Sequence, residues 1–481
     1  MDRKWRALIV VCVAIFMLLL DITVVNVALP DIQRELHTSF TDLQWVVDAY
    51  ALMLATVMLN AGSIGDLLGR KRVFIAGIVL FTAASAACGA ATSPLLLNLA
   101  RGAQGIGGAI MFAVSLAILS QEFHGRERGT AFGIWGATIG AAVAIGPLVG
   151  GAITTWFGWR WIFFVNLPIG VLCAAGAWRE LHESRNDEHG GFDLPGFATL
   201  TGGLFSLVLA LLRGNDWHWG SGREVALFTA AGVLLAAFVL IEARQQTPMF
   251  DVSLFRVPTF TGAQIVAFAI SAAMFSQFLY LTLYLQNVLG YSPIQAGLRF
   301  LPLSLLAFFV APVAGRLSGH FPVRLLLGTG LGLVGLALLL MSRDTTHSGW
   351  TVLLPGFLIA GFGIGMVNPP LASTAVSIVE PRRAGMASGI NNTFRQVGIA
   401  TGIAALGAIF QSRIASELHG AGSAAAVASG AVRGEAARAA FVSGLHEILL
   451  VAAVVAFVGA ALAFVLIRRR DFVASGPTAA Q

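Results

Sequence analysis

The chain has 481 residues, of which 57% are hydrophobic and only 11% are charged, against about 25% charged in an average soluble protein. This composition excludes a soluble domain and predicts an all-α, polytopic membrane protein. The net charge of +6 does not indicate nucleic-acid binding, because the basic residues fall in short loops between apolar segments rather than in a basic stripe interleaved with aromatic residues.

Apolar segments long enough to cross a bilayer recur along the whole chain. Fourteen are predicted, at 7–29, 45–65, 73–92, 95–119, 130–155, 160–178, 195–213, 224–242, 259–286, 293–315, 324–342, 350–378, 385–410 and 441–467. The N-terminus and the even-numbered connections hold nineteen basic residues, and the other connections hold eight. Because positive charge marks the cytoplasmic side, both termini are predicted to be cytoplasmic.

The first half of the chain resembles the second half. The glycine-rich end of span 2, at Gly62, matches the end of span 10, at Gly315, and the start of span 5, at Gly129, matches the start of span 13, at Gly385. Two separate matches with nearly equal offsets predict that spans 1 to 6 repeat as spans 9 to 14, an architecture typical of transporters. The predicted organisation is a six-helix bundle at 1–185, an inserted helix pair at 186–250 and a second six-helix bundle at 251–481.

The first span carries an acidic residue deep in an apolar run. Asp21 lies about 12 Å from the far end of its span, at ~1.5 Å per residue, and Arg101 lies about 10 Å into span 4 from the same side. Opposite charges at one depth predict an ion pair, and an ionisable residue within a span is a functional hypothesis by default. Burial favours a neutral carboxyl group and a nearby arginine favours the anion, so Asp21 and Arg101 are predicted to couple proton binding to a conformational change. A purely structural ion pair is the alternative.

Other polar residues within spans are candidates for lining a substrate cavity or for bonding between helices. They are Asn26, Gln104, Gln277, Asn368, Asn391, Asn392 and Arg395. Asp48 lies close to a span end and is predicted to be structural. The glycine runs at 105–108 and 361–366 are predicted to pack helices closely rather than to bind phosphate.

No catalytic set and no nucleotide-binding motif is recognisable in the sequence, and the chain has only two lysines, Lys4 and Lys71. The three cysteines show no metal-ligand spacing. The chain is therefore predicted to be no enzyme, to need no cofactor, metal or nucleotide, and to use an ion gradient as its energy source.

Three motifs resemble signatures of the major facilitator superfamily. Gly62, Asp66, Gly69, Arg70 and Lys71 fit its G-x-x-x-D-x-x-G-R-[KR] loop, which implies a latch between the two halves; Asp66 is expected in a wet loop, where its loss costs little stability. Arg101, Gln104 and Gly105 resemble the R-x-x-Q-G motif linked to proton coupling. Gly146, Pro147, Gly150 and Gly151 resemble the G-P-x-x-G-G antiporter motif, whose glycines are expected to pack against the opposite half.

The stretches LDITVVNVALP and WRWIFFVNLPIG, with fourteen spans, are similar to the drug/proton antiporter branch called EmrB/QacA. The resemblance implies a proton-coupled exporter of amphipathic compounds in a bacterial inner membrane, acting as a monomer with only its substrate and the bilayer as partners. The second acidic residue that some multidrug members carry in later helices is absent, so broad export of cations is less expected. The alternatives are a proton-coupled importer of a small nutrient and a membrane subunit that binds a partner without transport.

Overall fold

The structure is a computed structural model that describes residues 2–37, 40–185, 193–245, 250–343, 348–380, 383–418, 427, 434–468 and 471. A few side chains within helices, among them Asn26 and Pro147, lie outside the described residues. Regular structure in the described ranges is entirely helical. The α-helices are α1 (Arg3–Leu36), α2 (Phe40–Leu68), α3 (Arg70–Gly89), α4 (Pro94–Glu122), α5 (Gly125–Phe157), α6 (Trp161–Phe164), α7 (Asn166–Glu180), α8 (Leu194–Trp217), α9 (Gly222–Arg244), α10 (Pro258–Ile270), α11 (Gln277–Leu283), α12 (Pro293–Leu317), α13 (Val323–Met341), α14 (Leu354–Ser377), α15 (Ala384–Glu417) and α16 (Glu435–Leu466).

Thirteen helical segments of the described chain are long and apolar enough to cross a membrane. The sixth predicted span is formed by α6 and α7, and the ninth by α10 and α11 together with two π-helical turns at Ser271–Phe275 and Tyr284–Val288. Helix α5 has 33 residues and ends in the apolar stretch Leu148–Phe157. The multi-pass helical fold is therefore confirmed, and the number of fourteen spans stays a prediction.

Local sequence signals fix where several helices begin. Ser292 and Gln295 form a capping box at the start of α12, and Ser93 accepts a hydrogen bond from the N–H of Leu96 at the start of α4. Proline follows the capping residue in both helices, where its missing N–H has no intrahelical partner to lose.

Two pairs of helices cross with their backbones in contact at one end of the bundle. A Cβ atom added to Gly62 on α2 would overlap the carbonyl oxygen of Gly385 on α15, and one added to Gly129 on α5 would overlap that of Gly315 on α12. Only glycine permits such an approach. We call this the Asp66 end of the bundle, after Asp66 on α2, and the opposite end, which holds Asp48, the Asp48 end.

Helix α8 of the inserted pair packs into the groove between α2 and α15. Val208 lies in one apolar cluster with Leu52 of α2 and Ala400 of α15, and Asn60 of α2 donates a hydrogen bond to Thr201 of α8 at 2.7 Å. Helix α8 therefore contacts helices from both sides of the insertion.

Candidate functional site

Asp21 is the centre of a buried polar network in the first part of the chain. Its side chain, on α1, is within 2.5 Å of Nη1 of Arg101 on α4 and only 3% of the residue is exposed. Gln104 and Asn166 also donate to the carboxylate, with distances of 2.9 and 3.1 Å to Oδ1. The sequence prediction that Asp21 and Arg101 lie together is thus matched by the geometry.

Arg101 is as enclosed as its partner, with 1% of its surface exposed. Its Nε donates to the carbonyl oxygen of Val46 at 2.9 Å and its Nη1 donates to Oε1 of Gln104 at 2.7 Å. The guanidinium also lies 4.3 Å from the centroid of the Tyr50 ring, a cation–π contact that strengthens when it is shielded from water. Arg101 therefore joins α1, α2 and α4.

Ser85 on α3 forms a second layer behind the carboxylate. Asn166 and Gln104 donate to its hydroxyl oxygen at 3.0 and 3.3 Å, and the hydroxyl donates to the carbonyl oxygen of Phe163 at 2.9 Å. Ser85, Asn166 and Tyr50 were not predicted from the sequence. Apart from Arg160, Asn166 is the polar residue of the WRWIFFVNLPIG stretch, and that was the available signal.

The helix that carries Asp21 is held by the predicted antiporter motif. A Cβ atom on Gly146 would overlap Thr23, and one on Gly150 would lie 3.0 Å from Cα of Val24. The expectation that these glycines pack against the opposite half is wrong for Gly146 and Gly150, because α1 fills that space. It holds for Gly151, where a Cβ would lie 3.0 Å from Ile294 of α12.

Asp66 bridges the two parts of the chain at the Asp66 end. Its two carboxylate oxygens accept hydrogen bonds from the N–H groups of Gly385 and Met386, at 3.1 and 2.9 Å, so it caps the start of α15. Arg70 pairs with the same carboxylate at 2.8 Å. Asp66 is 1% exposed, so the expectation of a wet loop is wrong: the N-terminus of α15 covers it.

The other residues of the same motif hold α3 and the segment after α7. Gly69 has a φ of +106°, which favours glycine. Glu183 accepts hydrogen bonds from the N–H groups of Lys71 and Arg72 at 3.1 and 3.2 Å, and Nζ of Lys71 donates to the carbonyl oxygen of Trp178 at 2.6 Å. These contacts stay within the first part of the chain, so of the motif's side chains it is Asp66 that reaches α15.

A small cavity of about 30 Å³, which in this conformation has room for one or two water molecules, lies between α5 and the helices of the second part of the chain. Its walls are apolar or glycine except for Ser304 and Asn368, and they include the rings of Phe275 and Phe278 beside the π-helical turn. Ligand pockets are typically apolar with a few polar groups, and π-helical turns are frequent at functional sites. Of the residues predicted to line a cavity, Asn368 lies on the wall of this one.

Three of the other predicted cavity residues are on α15 and form hydrogen bonds within the protein. Arg395 donates to Oδ1 of Asn368 at 2.9 Å, Asn391 donates to Gln264 at 3.1 Å, and Asn392 donates to Ser388 at 3.4 Å. Gln277 donates to the carbonyl oxygen of Ile448 on α16 and is not among the cavity-lining residues. The side chain of Asn26 lies outside the described residues.

Comparison with known proteins connects this geometry to a family. The chain matches the Major Facilitator Superfamily over residues 11–403. It is 37% identical over 463 residues to the puromycin resistance protein pur8 of Streptomyces alboniger, covering 95% of this chain and 91% of that protein. It is 37% identical over 413 residues to the multidrug resistance protein Stp of Mycobacterium tuberculosis, and 32% identical over 413 residues to the tetracenomycin C resistance and export protein of Streptomyces glaucescens; each covers 86% of this chain and 77% of the relative.

Solved structures share the fold at much lower identity. The human organic anion transporter MFSD10 (TETRAN) superposes with a TM-score of 0.64 at 16% identity, covering 95% of this chain and 100% of that one. An inward-facing bacterial homologue of the human lysosomal transporter Spinster gives a TM-score of 0.60 at 19% identity, covering 99% of both chains. At such identities the likeness shows the fold alone. Because the family match spans most of the sequence and the named relatives exceed 30% identity along most of it, the chain belongs to the Major Facilitator Superfamily of membrane transporters.

Proposed function

We propose that the chain is a proton-coupled antiporter that exports amphipathic drugs or similar small hydrophobic compounds. The relatives named for puromycin, multidrug and tetracenomycin C resistance support export. The motifs around Asp21 and Pro147 support the fourteen-helix EmrB/QacA branch. The proposal places the protein in a bacterial inner membrane, with both termini and the Asp66 end on the cytoplasmic side, and assigns the energy to the proton gradient without a cofactor or nucleotide.

The observation that carries proton coupling is the enclosed contact between Asp21 and Arg101. While Asp21 is ionised, it holds α1 against α4 through an ion pair at 2.5 Å. Protonation removes the charge and leaves Arg101 without its anionic partner, and breaking a buried pair costs about 3 to 5 kcal/mol in soluble proteins. Since ~1.4 kcal/mol is a tenfold change in an equilibrium constant, this energy is large enough to switch between two conformations.

Helix α1 transmits such a change to the substrate cavity through α5. Thr23 and Val24 follow Asp21 on α1 and fill the spaces above Gly146 and Gly150, so α1 cannot tilt without moving α5. The same α5 lines the cavity with Gly136 and Gly140. Proton binding and substrate binding thus both act through α5, and packed helices of this kind can carry coupling between two sites.

Asp21→Asn tests the proposal, because asparagine keeps the shape and one of the two acceptor oxygens but cannot change charge. We expect normal membrane insertion, at least a tenfold loss of export accelerated by a pH gradient, and surviving downhill substrate exchange. The measurement is flux of a fluorescent substrate in proteoliposomes with and without an imposed pH gradient, with inserted protein quantified by blot. Gradient-accelerated export by Asp21→Asn would end the proposal.

Asp48→Asn is the matched control, since Asp48 also pairs with an arginine, Arg213, at 3.1 Å. We expect it to keep gradient-driven export. Substrate moving in the same direction as protons would instead favour the importer, and an absence of flux under any gradient would favour a binding subunit.

A further inference from the structure

Arg395 is a buried cation in the second part of the chain, and within the described residues its side chain bonds to a neutral group. It lies on α15 about 16 Å along the helix from Ala384, at ~1.5 Å per residue, which is near the middle of a ~30 Å hydrocarbon layer. Only 8% of the residue is exposed. Its Nη1 donates to Oδ1 of Asn368 at 2.9 Å. A buried charge normally has an opposite charge beside it, so this arginine calls for an explanation.

The guanidinium presents one complete edge without a partner. Nε and Nη2 of Arg395 are buried and have no hydrogen-bond acceptor within the described part of the chain. These two N–H groups point in parallel from the same side of the planar group, which is the fork that a carboxylate accepts with both oxygens. Asn368 binds the opposite side through Nη1, so the enclosed edge keeps both of its donors unpaired within the described residues.

The protein supplies no acid to fill this edge among the residues that the structure describes on the helices packed against α15. The acidic side chains there lie at helix ends or have other cationic partners. Asp48 pairs with Arg213, Asp66 with Arg70, Glu447 with Arg413 and Glu122 with His182. Glu435 is the first residue of α16.

The guanidinium lies one residue behind the wall of the cavity. Asn368, which holds Arg395, is one of the cavity's two polar wall residues, and the rings of Phe275 and Phe278 lie on the same walls with centroids 6.1 Å apart. When the cavity widens during transport, its apolar and aromatic walls can accept a flat hydrophobic body, and the guanidinium behind Asn368 can accept an anionic head. A cationic head would instead meet a like charge at a site of low dielectric, where charges interact strongly.

We propose that Arg395 binds an acidic group of the transported compound, so that the substrates of this chain are amphipathic aromatic acids. This inference rests on the proposed function for the direction and energy of transport, and it adds the substrate class. Asn368 is a positioning residue that holds the guanidinium at the cavity wall.

Three probes of one shape test the charge preference: an anthracene carboxylate, the corresponding carboxamide and the corresponding trimethylammonium compound. Transport of each is followed in proteoliposomes under a pH gradient, and binding is followed by the shift in thermal unfolding of the full chain in detergent. We expect the wild type to transport the acid at least tenfold faster than the other two probes and to be stabilised by the acid alone.

Arg395→Gln should lose at least tenfold in transport of the acid and leave the carboxamide unchanged, and Arg395→Lys should fall between, because lysine keeps the charge but lacks the fork. If Arg395→Gln does not fold, Asn368→Asp serves instead: it offers the guanidinium a competing carboxylate and should also lower transport of the acid. Arg299→Gln is the control. Arg299 lies over Tyr291 and donates to the carbonyl oxygen of Gln295, which does not line the cavity, whereas Arg395 is bonded to the lining residue Asn368.

The inference is overturned if the wild type moves the cation or the amide as well as the acid, or if the Arg395 and Asn368 variants slow all three probes equally. Failure of the proposed function looks different. In that case no probe shows gradient-driven flux, while stabilisation by the acid persists in the wild type and disappears in Arg395→Gln.

Discussion

The Arg101 guanidinium is held by one face of Tyr50 as well as by the Asp21 carboxylate. Its Cζ atom lies 4.3 Å from the centroid of the Tyr50 ring. The Tyr50 hydroxyl is buried and has no hydrogen-bond partner in the described residues, and a Cβ atom on Gly108 would lie 3.0 Å from it. The ring therefore supplies the interaction with Arg101, while the hydroxyl carries the cost of an unpaired buried polar group, about 1 to 3 kcal/mol.

Tyr50→Phe should accordingly keep or raise stability, by up to about 1 kcal/mol, because it removes that hydroxyl and keeps the aromatic face. Tyr50→Leu should lower stability by about 2 kcal/mol, since a desolvated cation–π contact is worth that amount. Thermal unfolding in detergent measures both variants. A loss of gradient-driven export in Tyr50→Phe with unchanged stability would show instead that the hydroxyl takes part in proton coupling.

At the scale of elements, α8 is joined to α2 by polar contacts and touches α15 through apolar ones. In the described ranges, Arg213 of α8 pairs with Asp48 at 3.1 Å and lies 4.4 Å from the ring centroid of Trp45, and Thr201 accepts from Asn60. Toward α15, the described packing is apolar, and Val208 of α8 lies in one cluster with Ala400. We infer that the inserted pair stays with α2 and slides on α15 when the Asp48 end opens.

The pair of Asp48 and Arg213 anchors α8. Arg213→Gln should destabilise the protein by about 1 to 3 kcal/mol. The Asp48 carboxylate is only 21% exposed, so water replaces its cationic partner incompletely. Asp48→Asn combined with Arg213→Gln should recover most of that loss, since removing both charges leaves neither unpaired. A double-mutant cycle on thermal unfolding measures the coupling. Additive losses would mean that the pair does not anchor the helix.

On the scale of the whole molecule, the two glycine matches found in the sequence are the places where the halves meet. Gly62 and Gly315 correspond in the predicted repeat, as do Gly129 and Gly385, yet Gly62 packs on Gly385 and Gly129 packs on Gly315. Such an exchange of partners is what a two-fold relation between similar halves produces. The sequence predicts the repeat, but only the fold tells which copies touch.

In the Asp21 network, the sequence predicts those contacts that depend on the depth of a residue along its helix. Asp21 and Arg101 share a depth, and that sufficed. Asn166 and Ser85 reach Asp21 from helices whose rotation about their own axes the sequence does not define. Asp66 adjoins a short basic loop, and its burial by α15 depends on a segment more than 300 residues away. The partners of Gly146 and Gly150 were mistaken for the same reason.

The Asp66 end is closed by a carboxylate at the start of a helix, and this gives a test of alternating access. In Asp66→Asn, a single amide oxygen replaces the two oxygens that accept from the N–H groups of Gly385 and Met386. The substitution also removes a favourable charge at the positive end of the helix dipole. It breaks the ion pair with Arg70 at 2.8 Å. We expect the closed form to be less stable, so that the equilibrium constant for opening the Asp66 end rises about tenfold to a hundredfold.

Ser388→Cys provides the reporter, because Ser388 is buried on α15 and cysteine is nearly isosteric with it. Cys12, Cys88 and Cys173 are buried and are first replaced by alanine. A membrane-impermeant maleimide applied to inverted vesicles should label the reporter faster with Asp66→Asn than without it. The double variant Asp66→Asn with Arg70→Gln also removes the arginine that has lost its carboxylate, but it does not restore the cap of α15, so faster labelling should persist in it. Equal labelling rates in all three backgrounds would mean that Asp66 stabilises the fold without holding the two halves together.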